Sequence, residues 1–97
     1  MKVFKDLVFN QKGHGGIGAA MKFDNGFEIS VIAGEFAYSM PREQNPDPDF
    51  FSAFEVAVFG PDGGFTRKFF PKDHSDDVLG WQSRGQINAL MLLIQSK

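Results

Sequence analysis

The sequence predicts an α+β fold: an antiparallel sheet of about five strands, joined as hairpins in a meander, with one C-terminal helix packed on a face. Three observations carry this. Two turn signals, Phe23-Asp24-Asn25-Gly26-Phe27 and Phe59-Gly60-Pro61-Asp62-Gly63-Gly64-Phe65, each stand between apolar runs. A third, Ser83-Arg84-Gly85-Gln86, has the form of a capping box and precedes Ile87, Leu90, Met91 and Ile94 at helical spacing. Strands followed by one amphipathic helix bury their apolar faces as two packed layers.

Lys2 to Phe9 is rich in Val, Leu and Phe and reads as a first strand, followed by a polar, glycine-rich loop over 10–16. From Ile17 to Ala33 the apolar residues alternate on both sides of a turn. A two-residue Asn25-Gly26 loop would pair Phe23 with Glu28 and mix both faces. A three-residue loop of Asp24, Asn25 and Gly26 pairs Phe23 with Phe27, Met21 with Ile29 and Ala19 with Val31. The apolar pattern selects the second register, with a type I turn and Gly26 left-handed in a bulge. Phe36-Ala37-Tyr38 reads as a strand extension, and Met40 to Asp49, with three prolines among acids, as a loop. It is long for a connector, and loops of that length tend to be functional or mobile. Phe50 to Phe59 is the next strand, with Phe54, Val56 and Val58 on one face. Phe65 to Phe70 returns, in a register that three- and four-residue loops fit equally. Pro71 ends it, and a helical turn is expected at Asp76 to Leu79. Leu92 and Leu93 lie off the main stripe of the final helix, which fits a wide buried face or partial exposure near its end and, as the alternative, a contact with a second chain.

The 97 residues fit one domain, 1–97. With no cysteine, disulfides and thiolate metal sites are excluded. Met1 to Asp6 has no apolar run behind it and does not read as a signal peptide, and no stretch has the length of a membrane helix. The formal charge of −2, with scattered Lys and Arg, argues against nucleic acid as a partner. Twelve Phe are the compositional anomaly, and most of them are expected in the core.

Gly13-His14-Gly15-Gly16-Ile17-Gly18 matches G-x-G-x-x-G, but that motif needs a helix after it and here a strand follows. An anion-contacting glycine loop is the alternative. Asp73-His74-Ser75-Asp76-Asp77 gathers oxygen and nitrogen donors without calcium-loop spacing and reads as a solvated loop. A metal- or ligand-dependent protein would draw on this run with His14 and His74. Glu28 and Glu55 are candidates for a cross-strand carboxylate pair, although Glu28 has Lys22 opposite it. None of these makes a catalytic, metal or cofactor site, so no enzyme and no cofactor is expected. Binding is the stronger prospect. Phe36, Tyr38, Phe50, Phe51 and Trp81 form a candidate aromatic patch rimmed by Glu43, Asp47 and Asp49, since aromatic residues are favoured interface anchors; the alternative is that these rings fold back into the core.

Phe23-Asp24-Asn25-Gly26, Ser30-Val31-Ile32, Phe54-Glu55-Val56-Ala57-Val58, Asp62-Gly63, and Asp77-Val78-Leu79-Gly80 before a final helix resemble a type of short protein common in tailed-phage genomes. Those proteins carry an F-x-N-G turn, an S-V-V strand, a Y-E-x-A-V strand, a D-G turn and a D-V-[IL]-G segment. The resemblance runs from Phe23 onwards, and this chain departs from it by a longer Pro/Asp loop between Gly34 and Phe50. It implies a small accessory protein made in the bacterial cytoplasm, and it brings no assigned activity and no functional residues. The expected function is therefore non-enzymatic binding of another protein, of host or phage, that modulates a host factor. The alternative is a structural or assembly component, or a homodimer joined through a strand edge or through Leu92 and Leu93.

Overall fold

Alternation over Ile17–Ala33 and Phe54–Phe59 leaves one continuous apolar face, and the helix closes it. The structure, a computed structural model, describes residues 1–97 apart from the side chain of His14. Five strands, β1 (Asn10–Gln11), β2 (Ile17–Lys22), β3 (Glu28–Ala33), β4 (Phe54–Phe59) and β5 (Val78–Gln82), form one sheet in the order β1-β2-β3-β4-β5, each antiparallel to its neighbour. Helix α1 (Arg84–Gln95) follows.

The first turn has the register its alternation demands. Met21 pairs with Ile29 and Ala19 with Val31. Phe23 N–H donates to Phe27 O at 2.8 Å and Gly26 N–H to Phe23 O at 2.9 Å, with Gly26 at φ +92°. The second turn repeats this pattern. Gly60 N–H donates to Gly64 O at 2.8 Å, Gly63 N–H donates to Gly60 O at 2.9 Å, and Gly63 has φ +87°. The register that the sequence left open is thus the three-residue one, Pro61-Asp62-Gly63, with Asp62 Oδ1 accepting from Gly64 N–H at 3.1 Å.

Two strands lie elsewhere than expected. Lys2–Phe9 is not a strand. It holds a 3₁₀ turn at Phe4–Asp6 and runs along α1, where Phe4 N–H donates to Asn88 Oδ1 at 2.7 Å and Gln95 bonds the Lys2 backbone at 2.9 and 2.7 Å. Phe4 and Phe9 break the alternation because both gather on Phe54, with ring centroids 5.1 and 5.7 Å away. The sheet instead begins with the two residues of β1, inside the expected loop. Phe65–Phe70 is likewise not a strand. Phe65 pairs with Phe59 and Thr66 N–H reaches Val58 O at 2.9 Å, and then the chain leaves the sheet. It leaves because adjacent rings both turn inward: Phe70 is buried and Phe69 stands edge-on to Phe27 at 5.1 Å. The vacated place beside β4 goes to β5, where a helical turn was expected. Val78 and Leu79 pair with Ala57 and Val56, so tertiary pairing overrides local preference. β4 starts at Phe54, not Phe50, because Pro48–Phe50 forms a 3₁₀ turn.

The core lies between the sheet and α1. Ile17, Ala19, Ile29, Val31, Val56 and Val58 face Ile87, Leu90, Met91 and Ile94, all buried. Each large side chain there contributes about 1.5–3 kcal/mol of burial. The capping box is closed: Ser83 Oγ accepts from Gln86 N–H at 3.1 Å and Gln86 Oε1 accepts from Ser83 N–H at 2.8 Å. At the other end, Asn25 Nδ2 donates to Ile94 O at 2.8 Å, so the first turn caps the helix C-terminus.

Candidate functional site

Residues 34–53 connect β3 to β4. Ser39 fixes this connection. Its buried hydroxyl accepts from Gly34 N–H at 3.1 Å and has the carbonyls of Gly34 and Pro41 within 3.1 and 3.0 Å. Tyr38 N–H donates to Glu55 Oε1 at 3.0 Å, and Tyr38 O accepts from Trp81 N–H at 2.9 Å. Phe36–Tyr38 is therefore an anchored crossing, not the expected strand extension.

Gly80 permits the approach, since a Cβ there would lie 2.8 Å from Tyr38 Cβ. The next residue, Trp81, has φ +55°. This is the left-handed region, an outlier for a bulky side chain. It accompanies the irregular pairing of β4 with β5 between Phe54 and Val56. Trp81 stacks on Tyr38, with ring centroids 5.1 Å apart and planes 30° apart. Arg42 places its guanidinium 5.5 Å from the Tyr38 ring centroid. Even so, Tyr38 stays 40% exposed and Trp81 52%.

The expected patch is thus partly assembled. Tyr38 and Trp81 meet. Phe36 is 71% exposed and borders an apolar slot of about 200 Å³ with Ile32, Ala37 and Lys12. Phe50 is exposed on the 3₁₀ turn. Phe51 does not belong to the surface: at 1% exposure it sits in the core, edge-on to Phe50 at 5.2 Å and 6.2 Å from Phe54. With Phe50 on the turn, Phe51 is the next ring able to point inward. Glu43 is exposed, Asp47 accepts from Asp49 N–H at 2.9 Å, and Asp49 lies 3.7 Å from Arg84.

Arg84 was not singled out by the sequence. Its Nη1 and Nη2 donate to Phe51 O and Pro48 O, both at 2.8 Å, and its guanidinium lies 5.2 and 5.1 Å from the Phe4 and Phe54 rings. It ties the end of the 34–53 connection to the start of α1. The signal for it was a cation in a first helical turn, where the helix dipole disfavours one.

The other motifs take structural roles. The glycine run holds a 3₁₀ turn at Gly13–Gly15 and then enters β2, and the side chain of His14 lies outside the described residues. His74 Nε2 lies 2.7 Å from Val78 O, so it carries the proton and donates, and Asp76 Oδ1 accepts from Val78 N–H at 3.4 Å. Glu28 pairs with Phe59 and Glu55 with Ile32, so the two carboxylates are not opposite each other. Among the described residues no three or more His, Asp or Glu side chains gather as a metal site would, and no helix is long and apolar enough to cross a membrane. Comparison with protein families, curated proteins and solved structures returns no match.

The surface of Tyr38 and Trp81 offers two accessible π systems, each with a polar edge. Its chemistry is stacking and hydrogen bonding to a partner.

Proposed function

We propose that this is a small non-enzymatic phage accessory protein that binds another protein in the bacterial cytoplasm and so modulates a host factor, with Tyr38 and Trp81 at the centre of the contact. One observation carries the binding reading. A tryptophan stands in a backbone conformation that disfavours it, stacked on a tyrosine from a distant connection, and half its surface faces solvent. Strain of this kind collects at sites of function, and Trp and Tyr are the side chains most enriched among interface hot spots. The phage assignment rests on the resemblance from Phe23 onwards.

The test is a tagged pull-down from infected cells, comparing the native chain with Trp81→Ala and Tyr38→Ala, each first checked for native circular dichroism. A partner held by the native chain should be lost or weakened at least tenfold in both variants. Retention of that partner by both folded variants would refute the surface.

A second reading, self-association or an assembly role, draws on Leu92 and Leu93. Both are exposed, and Leu93 borders a groove with Phe69, Pro71 and Leu79. Light scattering across concentrations tests it: a mass that stays monomeric, in a protein absent from purified virions, excludes it.

A further inference from the structure

We infer that the slot between Lys12 and Phe36 is a binding site for a small monocarboxylate with an apolar body. The Lys12 ammonium takes the carboxylate and the slot takes the body. The site is separate from Tyr38 and Trp81, and the inference does not rest on the surface they form.

Small residues hollow the slot, Gly16, Gly34 and Ala37 among them, and Ile32 and Phe36 are its larger apolar walls. Its shape is held by the chain's own contacts. A Cβ on Gly34 would lie 2.8 Å from Gly16 Cα, so the two backbones meet there. Ala37 N–H donates to Gly34 O at 3.3 Å, and Gly34 N–H donates to the buried Ser39 Oγ at 3.1 Å. The slot therefore exists before a ligand arrives, as ligand sites generally do. At about 200 Å³ it is smaller than the roughly 300–1,000 Å³ of drug-sized sites, which restricts it to a small molecule.

Among the described residues Lys12 is the one charged side chain that lines the slot. Gly18 lets it lie along the sheet. A Cβ on Gly18 would stand 2.7 Å from Lys12 Cε and 3.1 Å from Ile32 Cγ2. The end of the lysine is thus brought beside a wall of the slot, its stem on apolar surface and its ammonium one bond further. No described carboxylate lies within 4.0 Å of that ammonium, since the one ion pair is Arg84 with Asp49. Glu35 precedes Phe36 and Glu55 pairs with Ile32, but neither lines the slot, and Glu55 already accepts from Tyr38 N–H. An unpaired cation beside apolar walls selects an anion with an apolar body. One ammonium offsets a single charge, so a carboxylate suits it better than a phosphate ester, which carries about −1.5 to −2.

Isotope-labelled protein is titrated at low salt and followed by NMR. The ligands are octanoate, octanamide with the same body and no charge, and butanoate with the charge and a shorter body. Octanoate should move the amide signals of Gly13, Gly16 and Gly34 together and to saturation. Octanamide should bind up to about fivefold more weakly, the worth of one exposed ion pair. Each methylene removed on the way to butanoate should weaken binding by up to about fourfold. Lys12→Met keeps a stem over Gly18 and should bring octanoate down to the level of octanamide, with Lys12→Arg restoring it. Phe36→Ala, at an exposed position, should weaken octanoate and octanamide alike. Trp81→Ala should bind octanoate as the native protein does. Four results overturn the inference. One is no saturable movement of the three glycines. Another is octanamide binding as tightly as octanoate, which would make the slot a receiver of apolar groups alone. A third is native affinity in Lys12→Met. The last is loss of octanoate binding in a folded Trp81→Ala, which would make the slot part of the ring surface.

Discussion

Trp81 allows backbone strain and ring contact to be separated by two substitutions at one position. Its φ of +55° is shared by whatever non-glycine residue stands there. A left-handed conformation costs an L-residue about 1–2 kcal/mol. Glycine escapes this but loses about 0.4–1 kcal/mol through the greater freedom of its unfolded chain. Both Trp81→Ala and Trp81→Gly remove the stack on Tyr38, about 0.5–1.5 kcal/mol, and the burial of the half of the ring that is covered, about 1 kcal/mol. Alanine keeps the strain and glycine does not.

Trp81→Ala should therefore be less stable than the native protein by about 1.5–2.5 kcal/mol, from the stack and burial together. Trp81→Gly should recover about 0.5–1 kcal/mol of that, the strain relieved less the entropy added. For a domain of this size the difference is about 2–8 °C in Tm. Urea unfolding followed by far-ultraviolet circular dichroism measures it, because the probe must not be the ring removed. A Trp81→Gly protein equal to or less stable than Trp81→Ala would refute the reasoning, since the turn at Trp81 would then relax without cost. Both variants should lose the partner alike.

Three further outcomes follow from the same contacts. Gly63→Ala meets no atom within 4 Å and should lose about 1 kcal/mol from its φ alone, while Gly26→Ala also meets Pro61 Cβ and Cγ at 3.2 Å and should lose more in parallel urea melts. Arg84→Ala removes two charge-assisted bonds and should lower stability by about 2–3 kcal/mol, with Arg84→Lys restoring only part because an ammonium cannot fork to two carbonyls. Ser39→Ala leaves Gly34 N–H without its acceptor and should cost about 1–3 kcal/mol, with a shift in Trp81 emission as the crossing loosens.

What was legible in the sequence is what local chemistry and alternation decide. The turn at Asp24-Asn25-Gly26, its register, the inward faces of β2, β3 and β4, and the capped stripe of α1 all follow from neighbours in sequence. Illegible were the places where a residue answers to a distant one. Val78 and Leu79 look like the end of a helical turn begun at Asp76 until Val56 and Ala57 are beside them. Phe65 to Phe70 looks like a strand until Phe69 and Phe70 both turn inward. The candidate surface divides the same way. Tyr38 and Trp81 could be suspected as exposed aromatics, but their stacking depends on Gly80 letting Tyr38 close, which no periodicity encodes. Phe50 and Phe51 were indistinguishable as a dipeptide, and only the 3₁₀ turn at Pro48–Phe50 sends one outward and the other into the core.

The outer edge of β5 bears on which face a partner uses. Val78 O accepts from His74 Nε2–H, Val78 N–H donates to Asp76 Oδ1, Gly80 O accepts from Gln82 Nε2–H at 3.0 Å, and Trp81 N–H donates to Tyr38 O. The groups a second strand would pair with are therefore engaged by the chain's own side chains and by the crossing, one of the ways sheets protect an edge. A copy of this chain adding along β5 must first break these bonds, whereas a partner laid on Tyr38 and Trp81 breaks none of them. His74→Ala removes the strongest of the four by distance and leaves Tyr38 and Trp81 untouched. It should make the average mass by light scattering rise with concentration, while binding through the two rings stays as in the native protein. A variant that remains monomeric at every concentration would show that the edge is closed by something other than His74.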